Sequence, residues 1–129
     1  MGQVVLIIED NERNLKLFRD VLQLSGFETL EARTAQEGLE LASSARPDLV
    51  VMDIQLPDLD GATALTLLRK REETAHVPVV AVTAFAMKGD RERLLFLGFD
   101  DYIPKPIDVS SFADRLRRLL PDGGGVATT

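Results

Sequence analysis

Apolar residues fall along this chain in two patterns. Val4-Val5-Leu6-Ile7-Ile8, Leu49-Val50-Val51-Met52 and Val79-Val80-Ala81-Val82 are short unbroken runs. Such runs read as strands covered on both faces, as in a parallel sheet. Between them apolar residues recur every three or four positions, the period of a helix with one buried stripe. The first strand is expected from about Gln3 to Ile8 and the first helix from Glu12 to Leu24. Leu15, Phe18 and Leu22 would face the core, and Asn14, Leu17 and Val21 a neighbouring side, with Gly26 as the stop. A second strand follows at Glu28 to Ala32. Thr34 is placed to cap a second helix whose Ala35, Gly38, Leu39 and Ala42 point inward, and Pro47 closes the way to the third strand. Beyond it the pattern predicts a polar loop to Gly61, a third helix from Ala62 to Arg71 and a loop over residues 72–78. A fourth helix runs from about Lys88 to Leu97 and stops at Gly98, and a weak fifth strand covers Asp101-Tyr102-Ile103. Asp108 caps a fifth helix whose Val109, Phe112, Ala113, Leu116, Leu119 and Leu120 form one stripe, ended by Pro121.

Strand and helix thus alternate five times. With right-handed crossovers, this places helices on both faces of one parallel sheet, a doubly wound α/β domain. The expected domain covers residues 1–121; Gly123-Gly124-Gly125 and the small polar residues around it make residues 122–129 a flexible tail. The start at Met1, close to the first strand, and the short tail favour a complete single-domain protein.

The strands end on a particular set of polar residues. The first stops at Glu9-Asp10, the third at Asp53, the fourth at Thr83, and the fifth near Lys105-Pro106. In an open parallel sheet the carboxyl ends of the strands line one edge, and ligands bind there. Taken singly, each residue has an ordinary explanation: a solvated strand end, a turn or cap, a β-branched strand residue, a surface lysine. All of them at successive strand ends are hard to produce by chance. His76, the single histidine, falls in a loop and reads as surface.

Three acids brought together repel unless a cation joins them, and an all-oxygen set suits Mg²⁺. A carboxylate beside such a metal can act as nucleophile toward phosphorus and become an acyl phosphate. Phosphoryl transfer needs mainly positioning and charge neutralisation, which Mg²⁺ and Lys105 would supply, while the Thr83 hydroxyl and the Ala84 N–H could hold phosphoryl oxygens. No residue of the set looks like a base for rapid turnover, so a phosphorylated switch is favoured over an enzyme.

Composition narrows the classes. The chain has 129 residues, 45% hydrophobic and 28% charged, an ordinary soluble balance. A net charge of −6 argues against a nucleic-acid surface. Cysteine is absent, which fits a reducing cytoplasm and leaves no thiolate site. There is no signal peptide pattern and no run of membrane-spanning length. A cytoplasmic location with no membrane partner is expected.

Glu9-Asp10-Asn11, Met52-Asp53-Ile54-Gln55-Leu56-Pro57, Thr83-Ala84 and Lys105-Pro106 together resemble the signature of bacterial response-regulator receiver domains. The likeness runs from Val4 to Leu120. Glu9-Asp10-Asn11-Glu12, Lys16-Leu17-Phe18 and Val79 to Asp90 look especially like the single-domain DivK type. The resemblance implies the CheY-like, flavodoxin-like strand order 2-1-3-4-5. It implies Asp53 as phosphoacceptor, Asp10 as a direct Mg²⁺ ligand, Glu9 acting largely through water, and Gln55 through its main-chain carbonyl. Thr83 would be the switch hydroxyl, Tyr102 the switch aromatic and Lys105 the phosphate-binding lysine, with a cis bond before Pro106. The donor would be a phosphohistidine on a sensor histidine kinase or a histidine phosphotransfer protein, received by the face of Asn14, Leu17 and Val21. Output would pass through the fourth helix, fifth strand and fifth helix to a protein target or a second copy of the chain. Leu94-Leu95-Phe96-Leu97 departs from relatives, which often carry alanine and polar residues there. Leu94 and Leu97 are spaced to face the sheet, so Leu95 or Phe96 should be exposed.

Three rival readings stand beside this one. Asp58-Leu59-Asp60-Gly61 resembles the nucleophile motif of haloacid-dehalogenase-type phosphatases, but Leu56-Pro57 separates it from the strand, and a helix cap explains it better. A receiver cut from a hybrid kinase and a degenerate receiver serving as a binding module are the others. The intact acids, Thr83 and Lys105 argue against the last.

Overall fold

Apolar runs can be covered on both faces only between two layers, and the chain builds those layers from its own helices. In a computed structural model, residues 2–84 and 89–120 are described. Among them the elements are β1 (Val4–Ile8), α1 (Glu12–Leu24), β2 (Glu28–Ala32), α2 (Ala35–Ala45), β3 (Leu49–Asp53), α3 (Gly61–Lys70), β4 (Val79–Thr83), α4 (Asp90–Leu97), β5 (Asp101–Pro104) and α5 (Val109–Arg117). The expected start of the fourth helix at Lys88, residues 85–87 of the DivK-like stretch Val79 to Asp90, the Pro121 stop and the tail 122–129 lie outside the described residues.

All strand pairings are parallel, in the order β2-β1-β3-β4-β5. β3 therefore sits at the centre of the sheet, and all five of its residues are buried. Alternate side chains feed two separate cores. One face, with Val5, Ile7, Val51, Val80 and Val82, packs against Leu15, Phe18 and Leu22 of α1 and Phe112, Ala113 and Leu116 of α5. Phe18 and Phe112 meet with ring centroids 5.4 Å apart and tie the two helices together. The other face, with Leu6, Ile8, Val50, Met52 and Ala81, packs against α2, α3 and Leu94 of α4.

Local chemistry sets the helix ends. Thr34 accepts from the Glu37 N–H, as its position suggested, and Asp108 accepts from the Ser110 N–H. Gly26 and Gly98 take φ of 96° and 117°, the left-handed turn that ends a helix at low cost only for glycine. Asp60 accepts from the Thr63 N–H, so α3 begins at Gly61, one residue before the expected start. The loop 72–78 contains a single 3₁₀ turn, Glu72–Thr74.

Two positions depart from the apolar pattern. Leu97 is 44% exposed although its spacing from Leu94, 2% exposed, suggested a shared inward face. Three residues turn a helix about 60° short of a full circle, and α4 ends at Leu97, so nothing beyond covers that side chain. Val109, the first residue of α5, is 53% exposed, because the helix has not yet reached the sheet.

Candidate phosphoacceptor site

Parallel pairing brings the carboxyl ends of β1, β3, β4 and β5 to one edge, and an open cleft of about 640 Å³ forms there. Glu9, Asp10, Asn14, Asp53, Gln55, Ala84 and Lys105 line it, together with Asn11, Glu12 and Arg33. Thr83 ends β4 one residue before Ala84 and is fully buried. Tyr102, Leu95 and Phe96 lie away from the cleft, on β5 and α4.

Asp53 closes β3, so a fully packed strand fixes its backbone. Its Oδ1 accepts from the Gln55 N–H at 2.9 Å. Its Oδ2 accepts from the Lys105 ammonium at 3.1 Å. Asp53, though buried, lines the cleft. Glu9, 1% exposed, accepts from the Asn11 N–H at 3.1 Å through Oε2. Its Oε1 lies 2.8 Å from Lys105 Nζ as an ion pair but makes no well-directed hydrogen bond, so it keeps lone-pair capacity. Lys105 follows β5 and precedes a cis bond to Pro106, as the resemblance implied.

The charges shape one another. Burial pushes the Glu9 carboxyl above its ordinary value, with the Asp53 charge adding to it and Lys105 and the Asn11 N–H pulling back. Burial works against the Lys105 ammonium, but Glu9 and Asp53 outweigh it, and its pKa stays raised. Lys105 is thus held charged between two acids. One carboxylate oxygen from each of Glu9, Asp10 and Asp53 lies within 4.8 Å of the others. Three carboxylate oxygens that close fit a hard divalent cation.

Arg33 and Glu12 were missed by sequence reasoning as cleft residues. The signal was present, since Arg33 directly follows β2 and therefore sits on the same edge. Asp58 also has a role its motif did not suggest: it accepts from the Ala35 and Gln36 N–H groups at 2.8 and 2.9 Å and caps α2 across the loop. With Asp60 capping α3, both acids of the phosphatase-like motif are accounted for as caps. His76 is exposed, as expected.

The model of the response regulator receiver domain matches residues 5–117. The chain belongs to this family. The receiver is 49% identical over 122 residues to the polar-differentiation response regulator DivK of Brucella anthropi, covering 95% of this chain and 99% of the relative. The DivK protein of Brucella abortus matches to the same extent. The match spans nearly all of each relative. Among solved structures, the receiver domain of a Pseudomonas aeruginosa sensor histidine kinase, with magnesium coordinated in its active-site cleft, aligns with a TM-score of 0.84 and 34% identity over 92% of this chain and 98% of that one. The chemotaxis response regulator CheY4 of Vibrio cholerae, at 22% identity, TM-score 0.86 and coverage of 93% and 100%, shares the fold. The receiver has no helix, among the described residues, long and apolar enough to cross a membrane.

Proposed function

We propose that this receiver takes a phosphoryl group from a phosphohistidine onto Asp53 and acts as a switch, not as a turnover catalyst. The observation that carries this reading is Asp53 at the end of the central strand, bound by Lys105 and lining an acidic cleft. Asp53 is the nucleophile, and the Lys105 ammonium stabilises the charge gathering on the transferred group. The Ala84 N–H and the Thr83 hydroxyl are assigned to the phosphoryl oxygens. Glu9, Asp10, Asp53 and the Gln55 carbonyl are assigned to Mg²⁺, which when bound neutralises charge on the attacking and transferred oxygens. Intact-mass measurement after incubation with acetyl phosphate and Mg²⁺ tests this: one added phosphoryl group is expected, and none would overturn it.

The metal assignment has its own test. Asp10 is exposed while Glu9 and Asp53 are buried, so Asp10 is free to meet the ion directly. Asp10→Asn removes one anionic ligand and should weaken Mg²⁺ binding about tenfold or more, with labelling slowed at limiting Mg²⁺. Removing a like charge leaves fold stability unchanged or raised. Equal Mg²⁺ affinity in titrations of the two proteins would rule Asp10 out as a ligand.

We place donor docking on α1. Leu17 is 37% exposed, with no core to fill, and Asn14 above it lines the cleft. Val21 is half-buried against the α1–α5 core, so the apolar contact centres on Leu17. The occupant is the helix that carries the donor histidine, on a sensor kinase or a phosphotransfer protein. Leu17→Glu should slow transfer from the cognate protein donor at least tenfold, the size of a central contact in an interface, and leave acetyl phosphate labelling unchanged. Equal loss with both donors would mean misfolding, and no loss with either would move docking off α1.

A further inference from the structure

We propose that Arg33 is the donor-binding cation of the cleft, held by Glu12 until an incoming phosphoryl group displaces it. This rests on Asp53 being the phosphoacceptor. Among the described residues, four carboxylates line the cleft, those of Glu9, Asp10, Glu12 and Asp53, against two cations, Lys105 and Arg33. Lys105 is committed to Glu9 and Asp53. A phosphodonor arrives as an anion and meets a predominantly negative mouth. Among the described residues, Arg33 is the cation there with capacity to spare: its Nη2 lies 3.6 Å from Glu12 Oε1, beyond hydrogen-bond range, with side chains 52% and 82% exposed. Such a pair is weak and readily exchanged.

The backbone under Arg33 is rigid even though its guanidinium is loosely held. The Arg33 N–H donates to the Glu37 carboxylate at 2.9 Å, the Ala35 and Gln36 N–H groups donate to Asp58, and the Glu37 N–H donates to Thr34. The preceding carbonyl, of Ala32, accepts from the Glu9 N–H at 2.9 Å, locking the β2 end to the acidic site. A flexible fork on a fixed base at the rim suits capture of phosphate oxygens, which arginine meets bidentately. The transfer itself is unchanged: an Asp53 oxygen bonds to phosphorus, the bond from phosphorus to the acetate oxygen breaks, and acetate leaves with the electron pair.

The test is the initial rate of labelling of the full chain by acetyl phosphate at saturating Mg²⁺, read by intact mass. Arg33→Ala should raise the half-saturating acetyl phosphate concentration roughly threefold or more, the scale of one exposed charge interaction, with the limiting rate little changed. Arg33→Lys should restore most of it. Glu12→Gln should lower the half-saturating concentration in the wild-type background and lose that effect in Arg33→Ala. Added salt should slow the wild type more than Arg33→Ala. If Asp53 is labelled and Arg33→Ala keeps the wild-type half-saturation and salt dependence, the inference is overturned while the phosphoacceptor reading stands. A wild type that takes no label, or an Asp53→Asn variant labelled equally well, would overturn both.

Discussion

Asp53→Asn is expected to abolish incorporation of a phosphoryl group from acetyl phosphate. Asparagine keeps the shape of the side chain, and its carbonyl can still accept from the Gln55 N–H that Asp53 binds at 2.9 Å. Lys105 keeps Glu9 as its partner at 2.8 Å. The fold should therefore survive, and relief of repulsion beside Glu9 works in its favour. What is lost is an anionic oxygen able to attack phosphorus, because an amide oxygen is a far weaker nucleophile. The expected outcome is all or none: one phosphoryl group on the wild type, none detectable on the variant, with circular dichroism and melting showing both folded. A variant labelled as readily as the wild type would place the acceptor elsewhere.

The central apolar runs made most of this fold and site legible in the sequence. β3 reads as buried on both faces because it has no polar residue before Asp53, and in the structure it is the middle strand. Each polar residue that ends β1, β3 or β4, or follows β5, then falls on one edge by parallel pairing alone. What the pattern could not give is lateral contact between edge loops. Arg33 reaches the cleft because β2 pairs with β1 in a register that sets Ala32 beside Ile8, a relation between distant segments. Asp58 caps α2 from 23 residues away, which no local spacing reveals. Leu97 was misplaced for a different reason: a helix stripe says which residues align, and says nothing of where the covering layer stops.

Phosphorylation of Asp53, or its mimic beryllofluoride, is expected to move the α4–β5–α5 face as a unit, and this is the second large effect we predict. Phe96 is 90% exposed, Leu97 is 44% exposed, and Leu95 is partly buried beside them. A patch of that kind is suited to a partner, a protein target or a second copy of the chain. Tyr102 connects it to the site. It pairs in register with Ala81, and Thr83, two residues further along β4, points to the same face of the sheet. The Tyr102 ring is already inside, 7% exposed and packed in the same core as Leu94 and Phe99, so an inward swing on phosphorylation starts from a ring largely in place. Its hydroxyl is buried without a hydrogen-bond partner among the described residues. An orphan hydroxyl of that kind costs about 1–3 kcal/mol, which leaves this region responsive to a small push. Drawing the Thr83 hydroxyl toward a phosphoryl group would open space on the face that Tyr102 shares, and the core from Tyr102 to Leu94 would then repack and carry α4 with it. To turn a 1:99 mixture of states into 99:1 the phosphoryl group must favour one state by about 5.5 kcal/mol, a demand that charge-assisted bonds from Lys105, Thr83 and Mg²⁺ can meet together. Backbone NMR shifts with beryllofluoride and Mg²⁺ should therefore change together at Leu95, Phe96 and Tyr102. Shifts confined to the loops around Asp53, with those three residues unmoved, would refute an output through this face.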